Sequence, residues 1–151
     1  MMPADEYERM ARLEERLWWY RALHERVLRS IQAQFGPRRD LRILDAGCGT
    51  GGLLHFLRNA GYTDLRGVEG AAEGVAFCQQ RGLNVTQLDL NQLATYQTGE
   101  ASGVATFDVI ICNDVFCYFR DDGLVPLMTE LARRLASGGL LLSNNNAFQV
   151  F

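Results

Sequence analysis

Apolar residues recur along this chain first at helical and then at strand spacing. Between residues 4 and about 35, Tyr7, Met10, Leu13, Leu17, Tyr20, Val27 and Ile31 fall mostly three or four apart, with charges of both signs on the other faces. That period predicts an amphipathic helix, or two helices with a bend. Gly36 and Pro37 stop it. Leu41, Ile43 and Leu44 then read as the end of a short buried strand, and Leu53, Phe56, Leu57 and Ala60 line one face of a helix. Further along, the pattern predicts a strand over 64–69, a helix over 72–81 interrupted by Gly74, and a strand over 83–88. Residues 91–105 are mostly polar and read as a loose helix or loop. Residues 106–112 form a nearly continuous apolar run, as in a strand buried on both faces of a parallel sheet. A helix over 122–136 follows, with Pro126 expected in its first turn. A turn at Ser137, Gly138 and Gly139 leads to a fifth strand over 140–143.

Five strands alternating with helices predict an α/β fold, a doubly wound and mostly parallel sheet with helices on both faces. Residues 1–37 read as an N-terminal helical appendage and 38–151 as the domain proper. Within the appendage Trp18, Trp19, Tyr20 and Arg21 stand out. Neighbours on a helix point about 100° apart, so one tryptophan is expected at a surface, a cleft or the helix end. The cluster is expected to pack over one end of the sheet and wall the site there.

The chemistry concentrates at the first strand's end. Asp45 sits at its tip, and Gly47, Gly49 and Gly51 follow in alternation before the helix begins. Glycines let the backbone turn tightly and admit a ligand, and the helix N-terminus adds unpaired N–H groups. Gly47, Gly49 and Gly52 also satisfy the dinucleotide pattern G-x-G-x-x-G. A pyrophosphate there would meet the Asp45 carboxylate two residues before the first glycine, whereas an ammonium group would find a counter-ion. Glu69 ends the second strand, 18 residues beyond Gly51, near the offset of roughly 20 expected of a carboxylate that binds ribose hydroxyls. Asp89 ends the third strand, and Asn113 and Asp114 the fourth.

Composition narrows the classes. The chain has 151 residues, 48% hydrophobic and 22% charged, with a formal net charge of −3. Its pI of about 5.4 argues against a nucleic-acid surface. No run of about 18 apolar residues suggests a membrane span. The acidic start lacks a secretory signal, so a cytoplasmic location is expected. Cys48, Cys78, Cys112 and Cys117 form no C-x-x-C pair and show no zinc spacing with His24 or His55, so no metal is expected. His24 is expected on the N-terminal helix's polar face and His55 on a helix surface. All 15 basic residues are arginine, which excludes a Walker-A lysine, a Schiff-base lysine and the Tyr-x-x-x-Lys pair of short-chain dehydrogenases.

The sequence Asp45-Ala46-Gly47-Cys48-Gly49-Thr50-Gly51 resembles motif I of the class I S-adenosylmethionine-dependent methyltransferases. Gly67-Val68-Glu69, Asp89-Leu90, the stretch 107–115 and the stretch 131–139 resemble that family's later motifs in order. The resemblance covers roughly residues 41–146. The Trp18–Arg21 cluster is similar to an element ahead of the domain in some small-molecule members. The resemblance implies S-adenosylmethionine as cofactor, a small-molecule methyl acceptor and strand order 3-2-1-4-5. It implies that Asp45 holds the methionine ammonium, with a backbone carbonyl of Asn113 nearby. Backbone groups of Gly47, Cys48 and Gly49 would line the methionine and ribose, and Glu69 would accept from both ribose hydroxyls. Asp89 would accept from the adenine amino group and Leu90 would offer its N–H. Arg21 would reach the methionine carboxylate. Many relatives carry Glu-His soon after the fourth strand, where this chain has Cys117-Tyr118, so no catalytic base is assigned and Tyr118 is expected to pack near the pocket mouth. The family's last two strands have no counterpart in these residues, so the domain is expected to be C-terminally incomplete, either as a fragment of a longer protein or as a shortened domain with reduced function. The fifth strand would then be an exposed edge open to self-association. The alternatives are a non-catalytic S-adenosylmethionine-binding module and, on the glycine pattern alone, an NAD-dependent oxidoreductase.

Overall fold

A computed structural model describes residues 2–14, 16–99 and 103–145. Its order is α1 (Ala4–Leu13), α2 (Trp18–Phe35), β1 (Ile43–Ala46), α3 (Gly52–Asn59), β2 (Leu65–Glu69), α4 (Ala72–Gln80), β3 (Val85–Gln87), β4 (Phe107–Asn113), α5 (Asp121–Arg134) and β5 (Leu135–Asn144). Short 3-10 turns occupy Leu90–Thr95 and Phe116–Tyr118.

The strands form one sheet in the order β3-β2-β1-β4-β5, and every pairing is parallel. That is the topology expected from the sequence. Alternation along the central strands feeds two apolar layers. Ile43, Val109 and Ile111 face Val27 and Ile31 of α2, Leu53, Leu54 and Leu57 of α3, and Cys78 of α4. Leu44, Ile110 and Cys112 face Leu127 and Leu131 of α5 and Leu93 and Tyr96 of the 90s segment. α2 therefore shares its apolar layer with the central strands.

Several elements differ in detail from the sequence reading. The N-terminal segment is two helices, broken where Leu17 adopts an extended conformation. Pro126 lies in the second turn of α5, because that helix already begins at Asp121. Pro126 and Asp122, whose carbonyl its ring displaces from the ladder, are both exposed, so water can serve that carbonyl. β5 begins earlier than expected: Leu135 pairs with Phe107, then the register shifts and Leu140 pairs with Val109. The expected glycine turn is that irregularity, with Gly138 at φ +76°. Residues 147–151, including Phe148 and Phe151, lie outside the described residues.

The polar 90s segment is anchored by a residue the periodicity did not mark. Arg134, at the end of α5, is 1% exposed. Its Nε donates to Glu130 Oε1 at 2.7 Å, and Nη2 donates to the carbonyls of Leu93 at 2.9 Å and Tyr96 at 3.0 Å. The guanidinium also lies 5.4 Å from the Tyr96 ring centre, a cation–π geometry. Arg134→Met is expected to leave Glu130 with the part-exposed Arg133 alone and to strip the Tyr96 carbonyl of its buried guanidinium donor, at a cost of about 2 kcal/mol. Urea denaturation checks this. A change under about 1 kcal/mol would show that the guanidinium is dispensable.

Candidate functional site

Parallel strands all end on one side of the sheet, and in a doubly wound fold the crevice beyond those ends takes the ligand. Here that crevice is a cavity of about 510 Å³. Asp45, Gly47, Cys48, Gly49, Glu69, Asp89, Leu90 and Asn113 all line it. Arg21 does not; it is exposed on α2 and absent from the cavity lining.

The glycine turn is built by necessity. Gly47 and Gly49 have φ of +83° and +58°, in the region that favours glycine. A Cβ at Gly47 would stand 2.6 Å from Val115 Cγ2, and one at Gly49 would stand 2.8 Å from Met10 Cε. The N–H groups of Gly47 and Cys48 donate to the Val68 carbonyl at 2.7 and 3.0 Å, tying the turn to β2. Gly74, odd in the middle of a helix, has a similar explanation. Its Cβ would meet the Gly49 carbonyl at 2.8 Å and Glu69 Cγ at 2.9 Å, so glycine lets α4 approach the turn.

Three carboxylates meet beside this turn. Asp45 is 3% exposed. Burial first, then the charges of Glu14 and Glu69, push its pKa up to about 8. Glu69 is held in place on both oxygens. Oε1 accepts from the Tyr7 hydroxyl at 3.0 Å and the Ala71 N–H at 3.1 Å, and Oε2 accepts from the Gly49 N–H at 2.8 Å. Glu14 is buried at the end of α1. Its Oε2 accepts from Thr50 Oγ1 at 2.6 Å and lies 3.7 Å from Arg81 Nη1. Further along, Asp89 Oδ1 accepts from the backbone and side-chain nitrogens of Asn91, both at 2.9 Å. That bond caps the 3-10 turn and points the turn's start at the cavity.

The N-terminal helices close the opposite side. Tyr7, Met10 and Glu14 come from α1 and its end, and Tyr20, Leu23 and His24 from α2. Of the aromatic cluster, Tyr20 lines the cavity, Trp19 stacks on it at 4.1 Å between ring centres, and Trp18 is 79% exposed. The cluster thus supplies one wall residue, and α1 supplies much of the rest. His24 is buried rather than on a polar face. Burial, then Arg81, lowers its pKa to about 4, so it is neutral near pH 7. Sequence reasoning missed Tyr7, Glu14 and His24, because their roles rest on contacts tens of residues away. Tyr7 recurred in the apolar stripe, but nothing local said its hydroxyl would meet Glu69.

The donor set suits a ligand with a positive group near Asp45, hydroxyls near Glu69 and an amino group near Asp89. Cys48 and Cys78, 3.9 Å apart at sulfur, are buried free thiols, and the contact to Cys78, then burial, pushes the Cys48 pKa up. Such thiols are poor nucleophiles. Among the described residues no group of side chains could hold a metal ion, and no helix is long and apolar enough to cross a membrane.

Solved structures share this architecture. The chain is similar to CalS10, an amino pentose methyltransferase from Micromonospora echinaspora, solved with S-adenosylmethionine bound. Identity is 25% and the TM-score 0.72, over 94% of this chain and 56% of that one. It is similar in fold to the sugar N-methyltransferase KedS8 from Streptoalloteichus sp, at 24% identity and TM-score 0.72, over 93% of this chain and 53% of that one. A third is the magnesium protoporphyrin IX methyltransferase of Synechocystis, at 23% identity and TM-score 0.60, over 76% of this chain and 53% of that one. The chain spans just over half the length of these proteins. Comparison with curated proteins gives no match. A family model described as a methyltransferase domain matches residues 18–146. That match runs from the first residue of α2 through all five strands and takes in every strand tip that lines the cavity, and the chain belongs to this methyltransferase domain family.

Proposed function

We propose that the chain binds S-adenosylmethionine and transfers its methyl group to a small molecule. The observation that carries this reading is Asp45, a carboxylate buried at the tip of β1 with like charges beside it and no arginine among the cavity-lining residues. A buried anion of that kind is costly until a cation arrives. The cofactor's ammonium supplies one. A pyrophosphate would add negative charge instead, which disfavours the NAD reading. The cradle at Gly47 and Gly49, which a Cβ would fill, fits the cofactor's methionine and ribose backbone-close.

When bound, the cofactor supplies an already activated methyl group, so the protein's share is binding, orientation and electrostatics. Asp45 holds the ammonium, with the Asn113 carbonyl as second acceptor. Glu69 faces the ribose with fewer free positions than the sequence suggested. A carboxylate offers about four lone-pair sites, and Tyr7, Ala71 and Gly49 use three. One site on Oε2 is left for one ribose hydroxyl. Asp89, steadied by Asn91, takes the adenine amino group, and Leu90 offers its N–H. The methionine carboxylate has no guanidinium in the cavity, and the role expected of Arg21 requires α2 to present it differently.

Glu69→Ala removes one charge-assisted ligand bond and the anchor of Gly49 and Tyr7. Affinity for S-adenosylhomocysteine is expected to fall by roughly 1.5–3 kcal/mol, read by isothermal titration. Equal affinity in mutant and parent would sink the ribose assignment.

Self-association through β5 is also proposed. Among the described residues β5 pairs only with β4, and Leu140, Leu141 and Leu142 on it are half-buried. No charged residue occurs in β5 itself, Leu135–Asn144, to guard that edge. Light scattering of the 151-residue chain is expected to give a dimer or larger. A strict monomer at high micromolar concentration would contradict this.

A further inference from the structure

We infer that the methyl acceptor is an amine, held as an ammonium at the mouth of the cavity between the Asp114 carboxylate and the ring of Tyr118. This deepens the reading above and rests on it.

The first ground is the sign of the cavity. Five carboxylates line it, those of Glu14, Asp45, Glu69, Asp89 and Asp114, and no lysine or arginine does. The only other titratable side chain with a basic form is His24, kept neutral by burial and by Arg81. Arg81 reaches Glu14 from behind the wall. Asp45, 3% exposed, opens onto the same space with only like charges acting on it. The cofactor brings two positive groups and one negative, a net single positive charge. A carboxylate or phosphate on the acceptor would enter a site that stays negative with the cofactor in place.

The second ground is position. The strand order lays the cofactor along the tips, with adenine at Asp89 beside β3, ribose at Glu69 on β2, and the methionine end at Asp45 on β1. Thr50 and Arg81 engage Glu14. Asp114 lies on the other side, past the end of β4. It is the one non-glycine described residue at positive φ, +54°, and its N–H donates to the Asn144 carbonyl of β5 at 2.6 Å. Aspartate tolerates this conformation better than most side chains. Its carboxylate lines the cavity.

The third ground is the ring. Tyr118 also lines the cavity, yet it is 67% exposed. Burial first, then Cys117, Asp114 and Glu6, raise its pKa, so the hydroxyl stays neutral near pH 7.5. An exposed aromatic ring lining the same cavity as the Asp114 carboxylate offers an alkylammonium attraction both through the ring and through charge. A hydroxyl or carboxyl acceptor gains little from either.

The chemistry balances without a dedicated base. An ammonium has no lone pair, so one proton leaves it for water at the open mouth. The freed nitrogen pair then bonds to the methyl carbon as the carbon–sulfur bond breaks, and that electron pair stays on sulfur. The product departs as a methylated ammonium. The absence of a histidine near Tyr118 fits an acceptor that supplies its own nucleophilic pair.

The test uses protein saturated with S-adenosylhomocysteine and three probes of one shape: cyclohexylamine, cyclohexanol and cyclohexanecarboxylate. Ligand-observed NMR titration at pH 7.5 should show the amine binding at least tenfold more tightly than either other probe. In Asp114→Asn that preference should fall to threefold or less. Tyr118→Ala, a change at an exposed side chain that cannot empty the core, should weaken the amine severalfold and the alcohol less. Binding of the carboxylate or alcohol as tight as the amine, no binding of any probe, or a preference that survives both substitutions would overturn the inference. Calorimetry with S-adenosylhomocysteine on the same samples separates the two readings. A protein that binds no cofactor fails the function proposed above, whereas cofactor binding without amine preference fails this inference alone.

Discussion

Burial of negative charge at the strand tips is the constraint on which the site depends. Asp45 is the penultimate residue of β1, paired with Gly67 of β2 on one side and Ile111 of β4 on the other, so its carboxylate is carried out of water by the fold itself. Glu69 arrives beside it because β2 runs parallel to β1 with Gly67 opposite Asp45. Glu14 is drawn in from the end of α1 by Thr50 and Arg81. The turn N–H of Gly49 and the hydroxyl of Tyr7 satisfy Glu69. Among the described residues no hydrogen bond gives Asp45 comparable relief. The linkage follows directly. An acid whose folded pKa lies above its unfolded value binds a proton in the folded state that the unfolded chain has already released. Stability from Asp45 is therefore highest below about pH 4 and declines as pH rises toward 8. A bound ammonium reverses that decline.

Local signals carried much of this into the sequence. A strand, a tight turn at positive φ and a helix start are adjacent in the chain, and their residue types are dictated by backbone geometry. Asp45, Gly47 and Gly49 were legible for that reason. Glu69, Asp89 and Asn113 were legible because strand tips in a parallel sheet share one side. What the sequence hid came from distance. Tyr7 meets Glu69 across 62 residues, and Thr50 meets Glu14 across 36. Arg134 looks like a solvated last-turn arginine until the 90s segment folds under it. His24 sits beside charged neighbours in sequence, and its burial comes from packing against Phe56 at 5.4 Å and Tyr20 at 6.4 Å between ring centres. Arg21 lies off the cavity lining for the same kind of reason, because helix phase in an irregularly started helix is not fixed by composition.

The division of labour between segments follows. The match to the family begins at Trp18, so α1 lies outside it. Yet Tyr7, Met10 and Glu14 touch the carboxylate, glycine and helix start that define the ligand crevice. The strand tips line the crevice, and α1 encloses it. Enclosure lowers the local dielectric and raises the weight of every charge inside. The acidic lining is consequential for that reason.

The most direct measurement is the titration of Asp45 itself. Carbon-13 NMR of the Asp45 side-chain carboxyl, assigned by comparison with Asp45→Asn, reads its pKa with and without S-adenosylhomocysteine. In free protein the carboxyl is expected to titrate near 8, and with the ligand's ammonium in place it should drop by more than one unit. Affinity should rise between pH 6 and 8 in step with that drop. An Asp45 that titrates near 4 in free protein, or one whose titration ignores the ligand, would contradict the account.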